Sequence, residues 1–367
     1  MSRLIIDARW LYTGLGAYTL NLIRGLHDCG APPVTLITLP EHRAELAPFG
    51  YPIVLSNARL YSLREQIEIA RAARDYEVLH VPHYNAPVRR RKTLLVTIHD
   101  LTHLLDETMG RTLKSRIYAR PILQHVAQRA DHIFTVSEYS KNKIIEHLGA
   151  AAGKVTVVYN AVPPHIYPEP RDESRARINQ AFGFSGHYLL FVGNLKPHKN
   201  VSGLLKAFSI LRQRGKLDHK LLIIGDDQQG RRRLALEAAD LKLTGEVIFA
   251  GKAGDDDIRR AYSGADLNVL PSFEEGFGFA VLESMACGTP VACSKAAALP
   301  EVAGEAAEYF TPTKFDSIAA AVERVLHSQH RWRELQVLGV AQAARFDRRE
   351  FAQKHIAVYR EFLQVVP

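Results

Sequence analysis

Residues 187–208 read HYLLFVGNLKPHKNVSGLLKAF: an apolar and aromatic run, a glycine, a short polar loop, then an apolar-periodic stretch opened by asparagine. A run without polar alternation suits a strand buried on both faces. Gly193 lets the chain leave that strand, and Asn200 is a preferred cap for a helix starting at Val201. The same unit recurs in both directions. Downstream follow HKLLIIG, EVIFAG, DLNVLPS, PVACS and AEYF; upstream lie RLIID, VTLIT, YPIVL, EVLHV, TLLVTI, HIFTV and KVTVV, separated by helical stretches such as YSLREQIEIARAARD. Strands alternating with helices predict an α/β fold with parallel, doubly wound sheets.

The alternation is interrupted once, at YNAVPPHIYPEP (Tyr159–Pro170), where four prolines exclude both helix and central strand. Two Rossmann-like domains are therefore expected: 1–162, a linker at 163–170, and 171–345. Residues 346–367 remain as a C-terminal helix with the option of packing back on the N-terminal domain. The length of 367 residues exceeds the usual reach of one hydrophobic core. A content of 47% apolar and 23% charged residues is that of a folded protein, which argues against disorder.

Three cysteines without CxxC spacing argue against a disulfide framework or structural zinc and fit a reducing cytoplasm. The start MSRLIIDARW reads as a strand and not as a signal peptide. No stretch approaches 18 consecutive apolar residues, so a soluble or peripheral protein is expected. A net charge of +8 and a pI near 9.3 favour anionic partners without choosing among them. RNP motifs and the C2H2 or basic-zipper patterns are lacking, which turns the expectation away from nucleic acid.

Open parallel sheets bind ligands beyond the carboxyl ends of their strands, and the polar, glycine-rich segments lie there. After the first strand, Gly14 and Gly16 allow close backbone approach at a helix start, where an anion would sit well. A structural turn accounts for GxG equally, and Thr19 in the third glycine position argues against an NAD site. In the second half Gly193, Lys196 and Lys199 form a candidate phosphate cradle, against the plainer account of two solvated lysines beside a turn.

The segment PSFEEGFGFAVLESMACGTPV, residues 271–291, sets two carboxylates around a glycine pair. Gly276 and Gly278 would expose amides at a helix start, suited to a phosphate or an oxygen-rich ligand. Glu283, in the second helical turn, could accept hydrogen bonds from vicinal hydroxyls such as a ribose diol. Glu275 stays in the loop, nearer whatever lies beyond the phosphates. A helix with charged ends is the competing account.

These residues resemble the retaining glycosyltransferases of the GT-B fold, in particular family four, over nearly the whole chain. The most specific element is the E-x7-E pattern from Glu275 to Glu283; FVGNLKPHKN, TVSEYSKNKI, VVYNAVP and TIHDLTH support it. The resemblance implies two Rossmann-like domains facing a cleft, with acceptor handling in the first and nucleotide-sugar binding in the second. By carry-over Glu283 would bind the ribose, and Glu275 with the amides around Phe277, Gly278 and Phe279 the transferred sugar. Lys199 would hold the diphosphate, with Gly193 beside it, Gly16 would approach the phosphates from the other domain, and His99 would sit near sugar and acceptor. Glu275, His99 and Lys199 are thus the catalytic candidates.

Asn194 stands where many relatives carry arginine, leaving Lys196 or His198 as substitutes. HVPHYNAPV with TIHDLTHLLDE is similar to bacterial mannosyl- and rhamnosyltransferases of surface polysaccharide, lipopolysaccharide included. The resemblance therefore implies transfer of a hexose, first mannose from GDP-mannose and otherwise from a UDP-sugar, to a saccharide or lipid-linked acceptor. A GT-B-like epimerase or phosphorylase, or a non-catalytic nucleotide- or nucleic-acid-binding protein, stays as the alternative.

No metal and no cofactor is expected. Asp255–Asp257 match D-x-D but precede a helix that acidic residues would cap. The His80/His83 and His99/His103 pairs have spacings that could suit zinc, but no glutamate follows in an HExxH arrangement and no cysteine is near. Positive charge concentrates in Arg89–Lys92, in Arg111, Lys114, Arg116 and Arg120, and at Lys141 and Lys143, which suggests peripheral docking on an anionic cytoplasmic leaflet.

Overall fold

The computed structural model describes residues 3–11, 16–87, 93–102, 120–225 and 227–364. Among them the chain divides into two compact units: residues up to Ala161 together with those from Phe346 onward, and Val162–Arg345. Each unit is built on one parallel sheet.

The first sheet has seven strands: β1 (Leu4–Asp7), β2 (Val34–Thr38), β3 (Ile53–Leu55), β4 (Val78–Val81), β5 (Thr93–Thr97), β6 (His132–Thr135) and β7 (Val155–Val157), in the order β3-β2-β1-β4-β5-β6-β7. The second has six: β8 (Tyr188–Val192), β9 (Lys220–Ile224), β10 (Val247–Gly251), β11 (Leu267–Leu270), β12 (Val291–Ser294) and β13 (Ala307–Phe310), in the order β10-β9-β8-β11-β12-β13. All pairings are parallel. In each sheet the winding reverses beside its first strand, between β1 and β4 and between β8 and β11. Such a reversal splays the two following loops apart and opens a crevice at the strands' carboxyl ends.

The unbroken apolar runs follow from burial on both faces. In β8, Leu189 and Phe191 join one core beneath helices Val201–Gln213 and Phe315–Leu326. Tyr188 and Leu190 join another with Ile178 and Tyr262. Period-two alternation sends successive side chains to opposite faces, and both meet apolar partners.

The helix Arg348–Leu363 is capped by Asp347, whose carboxylate accepts from the backbone amides of Arg349 and Glu350. It lies in the first unit against helix Gly16–Asp28, so close that a Cβ on Gly25 would stand 2.7 Å from that of Ala352. A buried polar chain joins it to the sheet. His355 Nδ1 is 2.8 Å from the carbonyl of Phe351, which can only accept, so Nε2 accepts the Tyr18 hydroxyl at 2.8 Å. Tyr18 in turn lies 2.9 Å from Thr97 Oγ1, Thr97 lies 3.0 Å from His80 Nε2, and His80 Nδ1 lies 2.6 Å from the Tyr359 hydroxyl. Burial holds both imidazoles below their ordinary pKa, His355 at about 4. Among the described residues no helix is long and apolar enough to cross a membrane.

Candidate functional site

In the second unit the site candidates collect where β8 and β11 diverge. Asn200 closes the turn after β8 in the left-handed region (φ 52°), which asparagine tolerates better than most residues. Its side chain accepts from the Gly203 amide and donates to the carbonyls of Pro271 and Pro312 at 3.0 and 2.9 Å. The cap thereby fastens the β8 loop to the loop after β11. Across this junction Lys199 Nζ donates to Glu275 Oε1 at 2.6 Å, and Ser272 Oγ donates to the same oxygen at 2.8 Å. Both members of the ion pair are largely buried, at 17% and 11% side-chain exposure. Lysine and glutamate drawn from segments 76 residues apart are thus brought into direct contact.

Glu283 sits on helix Phe279–Ala286 and accepts the Tyr262 hydroxyl on Oε2 at 2.9 Å. Burial pushes its carboxyl up to about 7, reinforced by the negative charge of Asp255, while the Tyr262 hydrogen bond opposes the shift. Near neutral pH the group is poised between acceptor-only carboxylate and neutral acid. Gly278, at φ 99°, is the N-cap and, having no side chain, makes no side-chain cap to the first amides of the helix. A Cβ there would stand 2.5 Å from Leu299 Cδ2, so glycine is needed on two counts.

The expectation of exposed amides is corrected in part: Gly276, Phe277 and Gly278 are buried, while Phe279 and Ala280 are half-buried. The Phe277 and Phe279 rings pack 5.5 Å apart. Gly193 leaves β8 with its backbone 2.1 Å from where a Cβ on Gly225 would fall, so its immediate neighbour is its own sheet. Exposed Asn194 turns back on its loop and accepts from the Lys196 amide at 3.3 Å. His198 is buried.

In the first unit Gly16 opens helix Gly16–Asp28, and a Cβ there would fall 1.7 Å from the Leu11 carbonyl oxygen. The close approach inferred from sequence is therefore one the chain makes to itself. Gly14 lies outside the described residues, as does His103. His99 follows β5, and its Nε2 is 3.1 Å from the carbonyl of Pro82. A carbonyl only accepts, so Nε2 carries the proton and Nδ1 is the ring's remaining acceptor. Burial holds the imidazole below its ordinary pKa. Its carbonyl accepts from Ser140 Oγ at 3.0 Å, and the Tyr18 ring stands edge-on to it at 4.6 Å.

Asp255, Asp256 and Asp257 occupy the first turn of helix Asp255–Gly264, but the N-cap is Gly254 and no side chain caps it. The expected capping is corrected: these carboxylates meet the helix dipole, and Asp256 and Asp257 pair with Arg259 and Arg260 one turn on. His80 has both ring nitrogens engaged in the core. His187, His219 and Asp266 are the one described trio close enough to share a cation. They stand just ahead of β8, β9 and β11, at the opposite edge from Lys199 and Glu275. Asp266 already accepts from Arg171 at 2.6 Å, Arg175 at 3.0 Å and the Tyr188 amide at 3.1 Å, so the trio belongs to an ion-pair hub. Arg89–Lys92 and residues 111–119 lie outside the described residues. Lys141 and Lys143 are within 3.9 and 3.6 Å of Glu138 and Glu146 on their own helix, so they are not the free charges expected.

Ser272 and Tyr262, which hold the two carboxylates, were missed in the sequence reading. Ser272 stands three residues before Glu275 and was legible as a local partner; Tyr262 comes from a different helix and left no local signal.

Two doubly wound domains in series, with polar groups gathered at the sheet reversal, define a GT-B type architecture. Residues 12–165 match the family "Glycosyltransferase Family 4" and residues 175–337 the family "Glycosyl transferases group 1". The chain belongs to the GT-B glycosyltransferases assembled from these two domains. It is 27% identical to O-antigen chain mannosyltransferase B of Escherichia coli, covering 95% of this chain and 96% of the relative. It is 23% identical to O-antigen chain mannosyltransferase RfbU of Salmonella typhimurium, covering 85% and 87%. In fold it matches sucrose-phosphate synthase of Thermosynechococcus elongatus (TM-score 0.80, 19% identity, all of both chains). It also matches HepE of Anabaena in complex with UDP-glucose (TM-score 0.78, 19% identity, 98% and 99%).

Proposed function

We propose that this glycosyltransferase is a retaining mannosyltransferase. It takes mannose from GDP-mannose and adds it to a saccharide or lipid-linked acceptor in O-antigen-type polysaccharide synthesis. The observation that carries the reading is the junction of β8 and β11, where Lys199, Glu275 and a helix start meet. The mannosyltransferase relatives support the choice of sugar, and a neighbour that holds UDP-glucose supports a nucleotide-sugar donor and keeps a UDP-sugar as the second candidate.

In this reading Glu283 accepts from the ribose hydroxyls through Oε1, with Oε2 held by Tyr262. The donor diphosphate competes for Lys199, which releases Glu275 to the hydroxyls of the sugar. As the sugar–phosphate bond breaks, negative charge grows on the leaving phosphate. Lys199 and the positive end of helix Phe279–Ala286 stabilise it. The acceptor oxygen attacks from the face the phosphate leaves, and a phosphate oxygen takes its proton, so the anomeric configuration is kept. No side chain serves as a covalent nucleophile. Asn194, Gly193 and Lys196 shape the phosphate loop, and His99 receives an acceptor hydroxyl on Nδ1. Neither metal nor other cofactor is required, the lysine and helix terminus supplying what a divalent cation would. The protein works in the cytoplasm, with an anionic membrane surface as a peripheral docking site.

Incubation with GDP-mannose and UDP-sugars, with and without mannose-terminated acceptors, is the test. Acceptor-dependent release of GDP and an α-linked product by NMR are expected; inversion at the anomeric carbon would refute the retaining mechanism. Conversion of the nucleotide sugar without acceptor would favour an epimerase, and phosphate-dependent release of sugar phosphate a phosphorylase.

A further inference from the structure

At the carboxyl edge of the first sheet four rings from three loops pack together. Trp10, after β1, stacks on His83, after β4, with centroids 4.0 Å apart and planes 24° apart. Tyr84 leans on His83 at 4.1 Å. Tyr61, after β3, stands edge-on to Trp10 at 5.5 Å and to His83 at 5.6 Å. Trp10 and His83 are buried, Tyr84 is half-buried, and Tyr61 keeps 50% of its surface exposed. The backbone amide of Asn85 donates to His83 Nδ1 at 3.0 Å, so a neutral His83 carries its proton on Nε2, which faces the Tyr61 hydroxyl at 3.3 Å.

The bed beneath is charged and closed. Arg9, fully buried, donates to both Asp7 oxygens and to Glu65 Oε1 at 2.6 Å. Glu65 Oε2 accepts from Asn85 Nδ2 and from the Tyr61 backbone amide, each at 2.6 Å. That amide bond holds Tyr61 at φ 62°, a left-handed conformation that glycine adopts freely and a tyrosine does not. A strained backbone kept in place by a buried carboxylate to present a half-exposed ring points to a use for the ring.

Resting on the transferase reading, we propose that Tyr61 and Tyr84, backed by Trp10 and His83, form a shelf for a neutral pyranose of the acceptor. The C–H face of the sugar lies on the rings, and its hydroxyls meet the tyrosine oxygens. Aromatic faces with hydrogen-bonding groups at their edges fit a ligand that is apolar on one face and hydroxylated at its rim. The buried bed holds two carboxylates against one guanidinium, which disfavours an anionic group at this spot. His99 lies on the same edge and donates to Pro82, the residue before His83, so shelf and imidazole share one turn.

The experiment is saturation-transfer NMR with α-linked mannotriose on the wild type and on Tyr61→Phe, Tyr61→Ala and Tyr61→Gly. Binding of GDP-mannose and UDP-glucose is measured in the same samples. Tyr61→Phe, which keeps the ring and loses the hydroxyl contact, should weaken mannotriose binding a few-fold, whereas Tyr61→Ala and Tyr61→Gly, which lose the ring as well, weaken it by about tenfold or more. Tyr61→Gly and Tyr61→Ala lose the same ring contacts, but only glycine relieves the backbone at φ 62°, so Tyr61→Gly should melt above Tyr61→Ala while binding mannotriose no better. Equal mannotriose binding in the wild type and Tyr61→Gly overturns the shelf. So does the lack of a saturable signal in the wild type, or displacement of mannotriose by inorganic phosphate. Mannotriose binding through Tyr61 without any nucleotide-sugar binding would keep the shelf and sink the transferase reading.

Discussion

Glu283→Gln should stabilise the protein at alkaline pH while weakening its grip on the nucleotide. The folded carboxyl titrates at about 7, against an ordinary value of 4.5. Folding therefore favours the protonated form. The unfolded chain loses that proton through the ordinary carboxylate range and the folded chain only near neutrality, so Glu283 costs stability increasingly across that interval. The cost is absent well below the unfolded value and constant above the folded one. A difference of about 2.5 units corresponds to roughly 3 kcal/mol, reduced to about 2 kcal/mol because the side chain is only partly buried. Glutamine keeps an oxygen for the Tyr262 hydroxyl and never ionises. Thermal denaturation near pH 8 should show Glu283→Gln melting about 4–8 °C above the wild type, as expected for a unit of under 200 residues. Near pH 5 the advantage should fall to well under 1 kcal/mol. Calorimetric titration of GDP should show binding weaker by about 1–3 kcal/mol, the worth of hydrogen bonds to a charged acceptor. An equal rise in melting temperature at both pH values would refute the titration argument. Unchanged GDP affinity would refute the ribose contact.

In the wild type, donor affinity should increase as pH rises through about 7 and Glu283 ionises, and Glu283→Gln should abolish that dependence in the same titration. Lys199→Ala breaks a largely buried ion pair and should destabilise the protein by about 3 kcal/mol while weakening GDP binding; Glu275→Gln should leave GDP binding nearly intact and lower turnover. Transfer should persist in EDTA, and complete loss restored by Mg²⁺ or Mn²⁺ would overturn metal independence. Ending the chain before Arg348 removes Phe351, Ile356, Tyr359 and Leu363, all buried. At about 1.5–3 kcal/mol each this approaches a domain's whole stability. The product should be aggregated or lack cooperative melting by circular dichroism; a soluble, cooperatively folded product would contradict the packing.

The fold was legible because its determinants are local. VTLIT and AEYF coincide with β2 and β13 residue for residue, and the other runs differ from their strands by a residue or two at the ends, where backbone hydrogen bonding and not apolarity sets the limit. Strand order was not local: nothing in HYLLFVG says that β8 lies between β9 and β11. That order makes the crevice, and it brought Lys199 onto Glu275. At the candidate site the glycines and carboxylates could be read from residue type and spacing, and the Asn200 cap from its place before Val201. The environment of those carboxylates could not, since Tyr262 reaches Glu283 from another helix and burial, not sequence, moves its titration to about 7. Gly16 shows the same division. Its sequence position marked a close approach, and only the folded turn showed that the approaching atom is the carbonyl oxygen of Leu11. Sequence by itself determined which segments would be strands, helices and glycine turns, because those preferences act within a few residues. Tertiary structure alone decided which side chains share a dielectric, a hydrogen bond or a charge, because those energies depend on distance in space and not along the chain.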